Sequence, residues 1–254
     1  MAVQTEQKQL DSNAIKLIAI LAMTVDHIAW AVFPGYDTAP LPLLLHLLGR
    51  VTCPIMCYFI AEGYHHTRNV RKYTARLFLF ALISHFAYRF FSVGFCGWRS
   101  FLPFADGRLL DQTGVLWSLA WGLVMLRVAH SSRIRSELTR ALLILLICLV
   151  SLPADWSCIA ALCILAFGTN RGNFRVQMGW MVFYCAIYAV VYCLALDPIY
   201  GILQMGTVLA IPILRRYNGG RSGSRTFNRV MKWVFYLYYP LHLFVIGLFL
   251  HGIL

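Results

Sequence analysis

The run Asn13-Ala-Ile-Lys-Leu-Ile-Ala-Ile-Leu-Ala-Met-Thr-Val-Asp-His-Ile-Ala-Trp-Ala-Val-Phe33 decides the fold. It is apolar over about 20 residues, the length a helix needs to cross the hydrocarbon of a bilayer. Near its middle an aspartate and a histidine stand side by side, Asp26-His27. Ionisable groups are costly in hydrocarbon, so at such depth they usually face a wet cavity or the bundle interior and mark a functional site.

The same apolar pattern recurs along the chain. Candidate spans fall at 14 to 33, 43 to 64, 73 to 95, 113 to 129, 138 to 152, 155 to 169, 176 to 196, 199 to 214 and 230 to 250. The fifth and sixth are short, separated by Leu152-Pro-Ala-Asp155, and admit a re-entrant hairpin instead of two crossings. With no repeat, low-complexity tract or long linker, the sequence predicts one domain over 1–254: an all-α, polytopic integral membrane bundle of about nine transmembrane helices, between eight and ten.

Composition excludes a soluble globule, because 60% of the residues are hydrophobic and only 13% charged. Met1 to Ser12 is polar with acids mixed in, and the first run is too long for a signal-peptide core, so it reads as a retained helix. The net charge of +12 is a matter of topology. With the N-terminus cytoplasmic, 18 of the 22 basic residues, Lys8 among them, fall on the inner side, while Asp37, Asp106, Asp111, Asp155 and Asp197 fall on the outer side. Arg99 and Arg108 belong to the outer loop. The basicity then requires the lipid bilayer as partner and no nucleic acid. The eight cysteines include no C-x-x-C pair and read as small free hydrophobes, with Cys96 near a loop as the exception.

At 1.5 Å rise per residue, His27 stands roughly 16 Å above Lys16, near the midplane if Lys16 marks the inner boundary. The same arithmetic gives Ser84-His85 and His242 a similar depth, with Arg50 slightly above them, Arg89 higher again and Glu62 near the inner end of the second span. A histidine moves protons near neutral pH and an arginine in low dielectric holds a negative charge, so Asp26, His27, Arg50, His85 and His242 point to acid-base chemistry. Asp26 is not simply the orienting partner of His27, because adjacent helical residues diverge by about 100°; Arg50 or another helix is the alternative partner. The blander reading makes these groups interhelical hydrogen bonds only. A rival class is a transporter or proton-relay protein, or one binding haem between its histidines. An intramembrane serine protease ranks last, because neighbouring Ser84 and His85 diverge on a helix. His65-His66 does not converge on one metal, and no metal is expected.

Two loops are long enough to matter. The outer one, Gly94 to Gln112, carries Trp98, Phe101 and Phe104 and suits a membrane-surface or entrance-covering segment. On the inner side, Arg68, Arg71, Lys72 and Arg76 and the stretch Arg215-Arg-Tyr-Asn-Gly-Gly-Arg221 offer an anion site for a phosphorylated cosubstrate, beside the plainer reading of positive-inside topology.

Several motifs in order carry a resemblance over nearly the full chain: Lys16 through Asp26-His27, Arg50-x-x-x-Pro54, Phe59-x-x-Glu62-Gly63-Tyr64, Thr67-Arg68-Asn69-x-x-x-Tyr73-x-x-Arg76-Leu77, Tyr217-Asn218-Gly219, and Phe235-Tyr236-x-x-Tyr239-Pro240-Leu241-His242. Together they resemble the TraX family, named for a conjugation-associated membrane protein that acetylates the pilin N-terminus. The Lys16 to His27 spacing is also similar to that in the first helix of acyltransferase-3 type membrane acyltransferases. The resemblance implies an acetyltransferase of the bacterial cytoplasmic (inner) membrane that uses cytoplasmic acetyl-CoA. It implies His27 as catalytic base; the depth reading adds Asp26, Arg50, His85 and His242 around the reaction, with Arg50 and His85 for the oxyanion and His242 for the acceptor or a proton relay. Lys16, Glu62, Arg68, Lys72, Arg76, Tyr217, Asn218 and Arg221 would hold the coenzyme. The acceptor is an unidentified hydroxyl or amine of a small molecule, sugar or pilin-like N-terminus, and a homodimer is one assembly to test.

Overall fold

The computed structural model describes residues 9–252 apart from Cys96, Asp106, Arg108 and Ser222. The readings made above for Lys8, Cys96, Asp106 and Arg108 therefore lie outside the described residues. Every one of the nine apolar runs folds as helix, and the described residues contain no β-strand, only two isolated bridges. Six segments are long and apolar enough to cross a membrane: Ser12–Val32, Pro40–His66, Val70–Val93, Phe174–Ala195, Pro198–Arg215 and Arg225–Leu250. The chain is thus a polytopic, all-helical membrane protein. Internal contacts divide it into two units, one of residues 1–56 with 189–235 and one of residues 57–188 with 236–254.

The first unit begins with α1 (Ser12–Val32), whose start is capped by Asp11 Oδ1 accepting the Ala14 N–H at 2.7 Å. Ile15, Ala19, Met23, Asp26 and Ala29 recur at steps of three or four and form one buried stripe. Leu21 and Val32, on other faces, are 66% and 61% exposed, which suits them to acyl chains rather than water. The stripe of α1 packs against α2 (Pro40–Gly49). The Thr52 hydroxyl donates to the Ala19 carbonyl at 3.0 Å, adding a polar tie.

A break separates α2 from α3 (Thr52–His66). Pro54 has no N–H to give the carbonyl four residues back, which is Arg50, and the helix is interrupted there. The Arg50 side chain folds back instead, its Nε–H donating to the His46 carbonyl at 3.3 Å. The unit closes with α9 (Pro198–Leu203), a 3-10 turn at Gln204–Leu209 and α10 (Ala210–Arg215), in continuous succession. Gly206 in the 3-10 turn has only hydrogen where a Cβ would meet Leu47 and Arg50, so this segment comes close against α2.

The second unit is centred on α5 (Leu116–Ala129), which packs on α4 (Val70–Val93), α6 (Glu137–Ser151) and α7 (Ile159–Thr169). Gly122 faces Ile164 and Ala161, and Gly168 faces Leu126, so glycines let α5 and α7 approach closely. α8 (Phe174–Ala195) and α11 (Arg225–Leu250) complete the order. The outer loop is pinned down from α4. The Arg89 Nε–H donates to the Ser100 carbonyl at 2.8 Å, and His85 Nε2 bonds the Phe101 carbonyl at 2.7 Å. Gln112 Oε1 accepts the Phe104 N–H at 3.0 Å.

Candidate active site

Asp26 points inward because it continues the apolar stripe of α1 by a step of three from Met23. Its carboxylate meets two partners, His46 from α2 and Arg50 at the cap that ends it. Oδ1 is 2.7 Å from His46 Nδ1, and Oδ2 accepts from Arg50 Nη2 at 2.6 Å. His46 and Arg50 are four residues apart and so share one helix face. Arg50 Nη1 donates to Gln204 Oε1 at 3.0 Å, and the Gln204 amide donates to the Tyr200 carbonyl at 3.1 Å. Gly49 makes the approach of Asp26 to α2 feasible, since a Cβ there would collide with the aspartate side chain.

The network is dry. His46 is fully buried, and the side chains of Arg50 and Asp26 are 11% and 12% exposed. The His46 ring lies against Trp30 at 4.4 Å between centroids and Tyr200 at 5.5 Å. An ionised carboxylate only accepts, so His46 donates from Nδ1, and its Nε2 is buried with no hydrogen-bond partner. His27, next in sequence and only partly buried, donates back to the Met23 carbonyl and is within electrostatic reach of Asp26, Arg50 and His46. A buried carboxylate, an arginine and a partly exposed histidine together are equipped for proton transfer beside a developing negative charge.

At the other end of α1 a second group assembles in the same unit. Lys16 lies 5.2 Å from the centroid of the Phe235 ring and within electrostatic reach of Arg221. Leu10 bridges Tyr217, with the Asn218 N–H donating to the Leu10 carbonyl at 2.9 Å. The turn that follows uses Gly219 at φ +80°, a conformation glycine adopts without strain. Lys16, Tyr217, Asn218 and Arg221 are therefore gathered around the start of the helix that carries Asp26 and His27.

The remaining expected site residues belong to the second unit. His85 holds the outer loop, as described above. His242 is buried, bonded through Nδ1 to the Tyr238 carbonyl at 2.8 Å and stacked on the Tyr238 ring. Glu62 is engaged by Arg171 at 3.0 and 3.2 Å and by His66 at 3.3 Å. Arg68 and Lys72 are exposed at the start of α4, whereas Arg76 is half-buried and lies over the Tyr73 ring. His46, Gln204 and Arg171 were not among the sequence candidates. The four-residue spacing of His46 and Arg50 was the available signal for the first.

A family model described as TraX protein matches residues 11–250. The chain belongs to the TraX family. This TraX-family protein is also 31% identical over 248 residues to a protein described as "Probable fimbrial assembly protein FimC, serogroup H1" of Dichelobacter nodosus, a match covering 93% of this chain and 95% of that protein. No solved structure matches it. The TraX-like motifs now have local explanations. Arg50-x-x-x-Pro54 is the helix break that supplies the Asp26 partner. Gly63 lies against the Tyr73 hydroxyl, over whose ring Arg76 sits, and Tyr217-Asn218-Gly219 is the turn hooked onto Leu10.

Proposed function

We propose that this TraX-family protein is an acetyltransferase of the bacterial inner membrane, with an N-terminus on the cytoplasmic side and acetyl-CoA as cosubstrate. One observation carries the reading: the buried Asp26, His46, Arg50 and Gln204 network beside partly exposed His27, on the same helix as the Lys16 and Arg221 group. Eleven residues of helix separate Lys16 from His27, roughly 16 Å, a distance suited to an extended pantetheine arm. Phosphates held by Lys16 and Arg221 beside the Tyr217-Asn218-Gly219 turn would leave the thioester beside His27 and Arg50.

His27 takes the proton from an acceptor amine or hydroxyl as it attacks the acetyl carbonyl. The new N–C or O–C bond forms, Arg50 offers positive charge to the oxyanion, and Asp26 stabilises the histidinium. The C–S bond then breaks and His27 returns the proton to the coenzyme thiolate. The fimbrial description of the relative favours a pilin-class protein as acceptor.

The test compares wild type with His27→Ala in detergent, using radiolabelled acetyl-CoA hydrolysis or transfer. Loss of turnover with retained acetyl-CoA binding is the expected result. Failure of the wild-type protein to bind acetyl-CoA overturns the reading.

A further inference from the structure

Arg50 and Asp26 could form the usual two-pronged fork, in which a guanidinium donates to both oxygens of one carboxylate. They do not. Asp26 Oδ1 is taken by His46 Nδ1, which leaves Oδ2 for Arg50 Nη2, and the guanidinium extends Nη1 to Gln204 Oε1 instead. The orientation of Arg50 thus depends on which oxygen His46 occupies. His46 in turn has little freedom. It is set by the register of α2 against Asp26, packs against both the Trp30 and Tyr200 rings, and is fully buried. The groups around it are Asp26, His27 and Trp30 from α1, Arg50 from the cap of its own helix, Tyr200 from α9 and Gln204 from the adjoining 3-10 turn. A substrate does not reach Nε2 in this packing, so His46 is not itself the base.

We propose that His46 is a positioning residue for acetyl transfer: its Nδ1–H holds Asp26 so that only one carboxylate oxygen engages Arg50, keeping the guanidinium turned toward Gln204 instead of collapsed onto Asp26. This inference rests on the acetyl-transfer reading above. Without the donor, Asp26 rotates to satisfy both oxygens on Arg50, and the arginine moves off the place where charge develops. A displacement of about 1 Å at a reacting centre lowers rates by about 100-fold.

Two replacements separate this role from others. His46→Asn keeps an N–H at the position of Nδ1 and has no counterpart of Nε2. His46→Phe keeps a ring packed against Trp30 and Tyr200 and has no donor. With acetyl-CoA as probe and water as acceptor, His46→Asn is expected to retain kcat within about threefold, while His46→Phe loses about 100-fold in kcat with KM for acetyl-CoA little changed. If His46→Asn is as inactive as His46→Phe while still folded, Nε2 does chemistry and the positioning role is wrong. Full activity of His46→Phe overturns it as well. Nitrogen-15 histidine spectra of the wild-type protein give a readout independent of whether His46→Phe folds: His46 must be the Nδ1–H tautomer, and an Nε2–H tautomer overturns the inference. A wild-type protein that neither binds nor hydrolyses acetyl-CoA brings down the acetyl-transfer reading and the inference with it. Turnover that is indifferent to His46 brings down the inference alone.

Discussion

Replacing Asp26 by asparagine keeps the side-chain shape and removes the charge at the centre of the network. The carboxylate offers acceptors to both His46 and Arg50, whereas an amide has one oxygen and one NH2 group. If the oxygen faces Arg50, the NH2 group faces His46 Nδ1, which then accepts only by moving its proton to Nε2, an atom with no partner. If the oxygen faces His46, two donors oppose each other where Arg50 Nη2 now sits 2.6 Å from the carboxylate. Either way a buried donor loses its acceptor, at about 1–3 kcal/mol. The arginine also loses its counter-charge in a site where it is only 11% exposed, and breaking a buried pair in this manner costs about 3–5 kcal/mol in all. The assay is a double-mutant cycle of Asp26→Asn, Arg50→Gln and the pair, read by denaturation of the detergent-purified protein. Each single change should destabilise strongly, and the double change should cost less than their sum by about 2 kcal/mol. Additive losses within about 0.5 kcal/mol would refute the argument, because they would mean that the two side chains do not share one energetic unit.

Gly49→Ala places a methyl group against the Asp26 side chain with the helix backbone behind it, and is expected to cost about 1–3 kcal/mol and to lower acetyl transfer; thermal unfolding and turnover measured together check it. Lys16→Met keeps the apolar stem and removes the ammonium group. It should raise KM for acetyl-CoA several-fold with kcat unchanged, and the difference should shrink as salt is added.

Much of the architecture was legible in the sequence, because the requirement that a helix satisfy its own backbone in hydrocarbon leaves long apolar runs with few alternatives. The break after Arg50 was not anticipated, because 43 to 64 reads as one apolar span, although Pro54 carries the signal for it. Asp26 with Arg50 was legible as a candidate pair for the same reason that either residue drew notice: each is a charge within an apolar span. What the sequence did not yield was direction around the helix axis. Counting 1.5 Å per residue gave His85 and His242 a depth, but depth does not say what a ring faces, and His85 turns to the Phe101 carbonyl of the outer loop. His46 was overlooked inside Leu43-Leu-Leu-His-Leu-Leu48, where its neighbours suggest only lipid. Gln204 has no local signature at all. It is a neutral amide 154 positions from Arg50, and only the close approach permitted by Gly206 brings the two together.

The first unit is assembled from the two distant stretches 1–56 and 189–235, and that arrangement sets an order on its formation during synthesis. Asp26 and Arg50 lie 24 residues apart, so their charges can cancel as soon as the first two apolar segments have left the ribosome. The pair thereby lowers the cost of passing an aspartate and an arginine from the insertion machinery into lipid, well before any substrate exists for them. Gln204 arrives more than 150 residues later, and the turn at Tyr217 that fastens the beginning of α1 comes later still. Until that late stretch is made, the nascent chain carries a charge-neutral hairpin without its Gln204 brace or the Tyr217 turn, and the last-made part of this unit completes a site begun by the first.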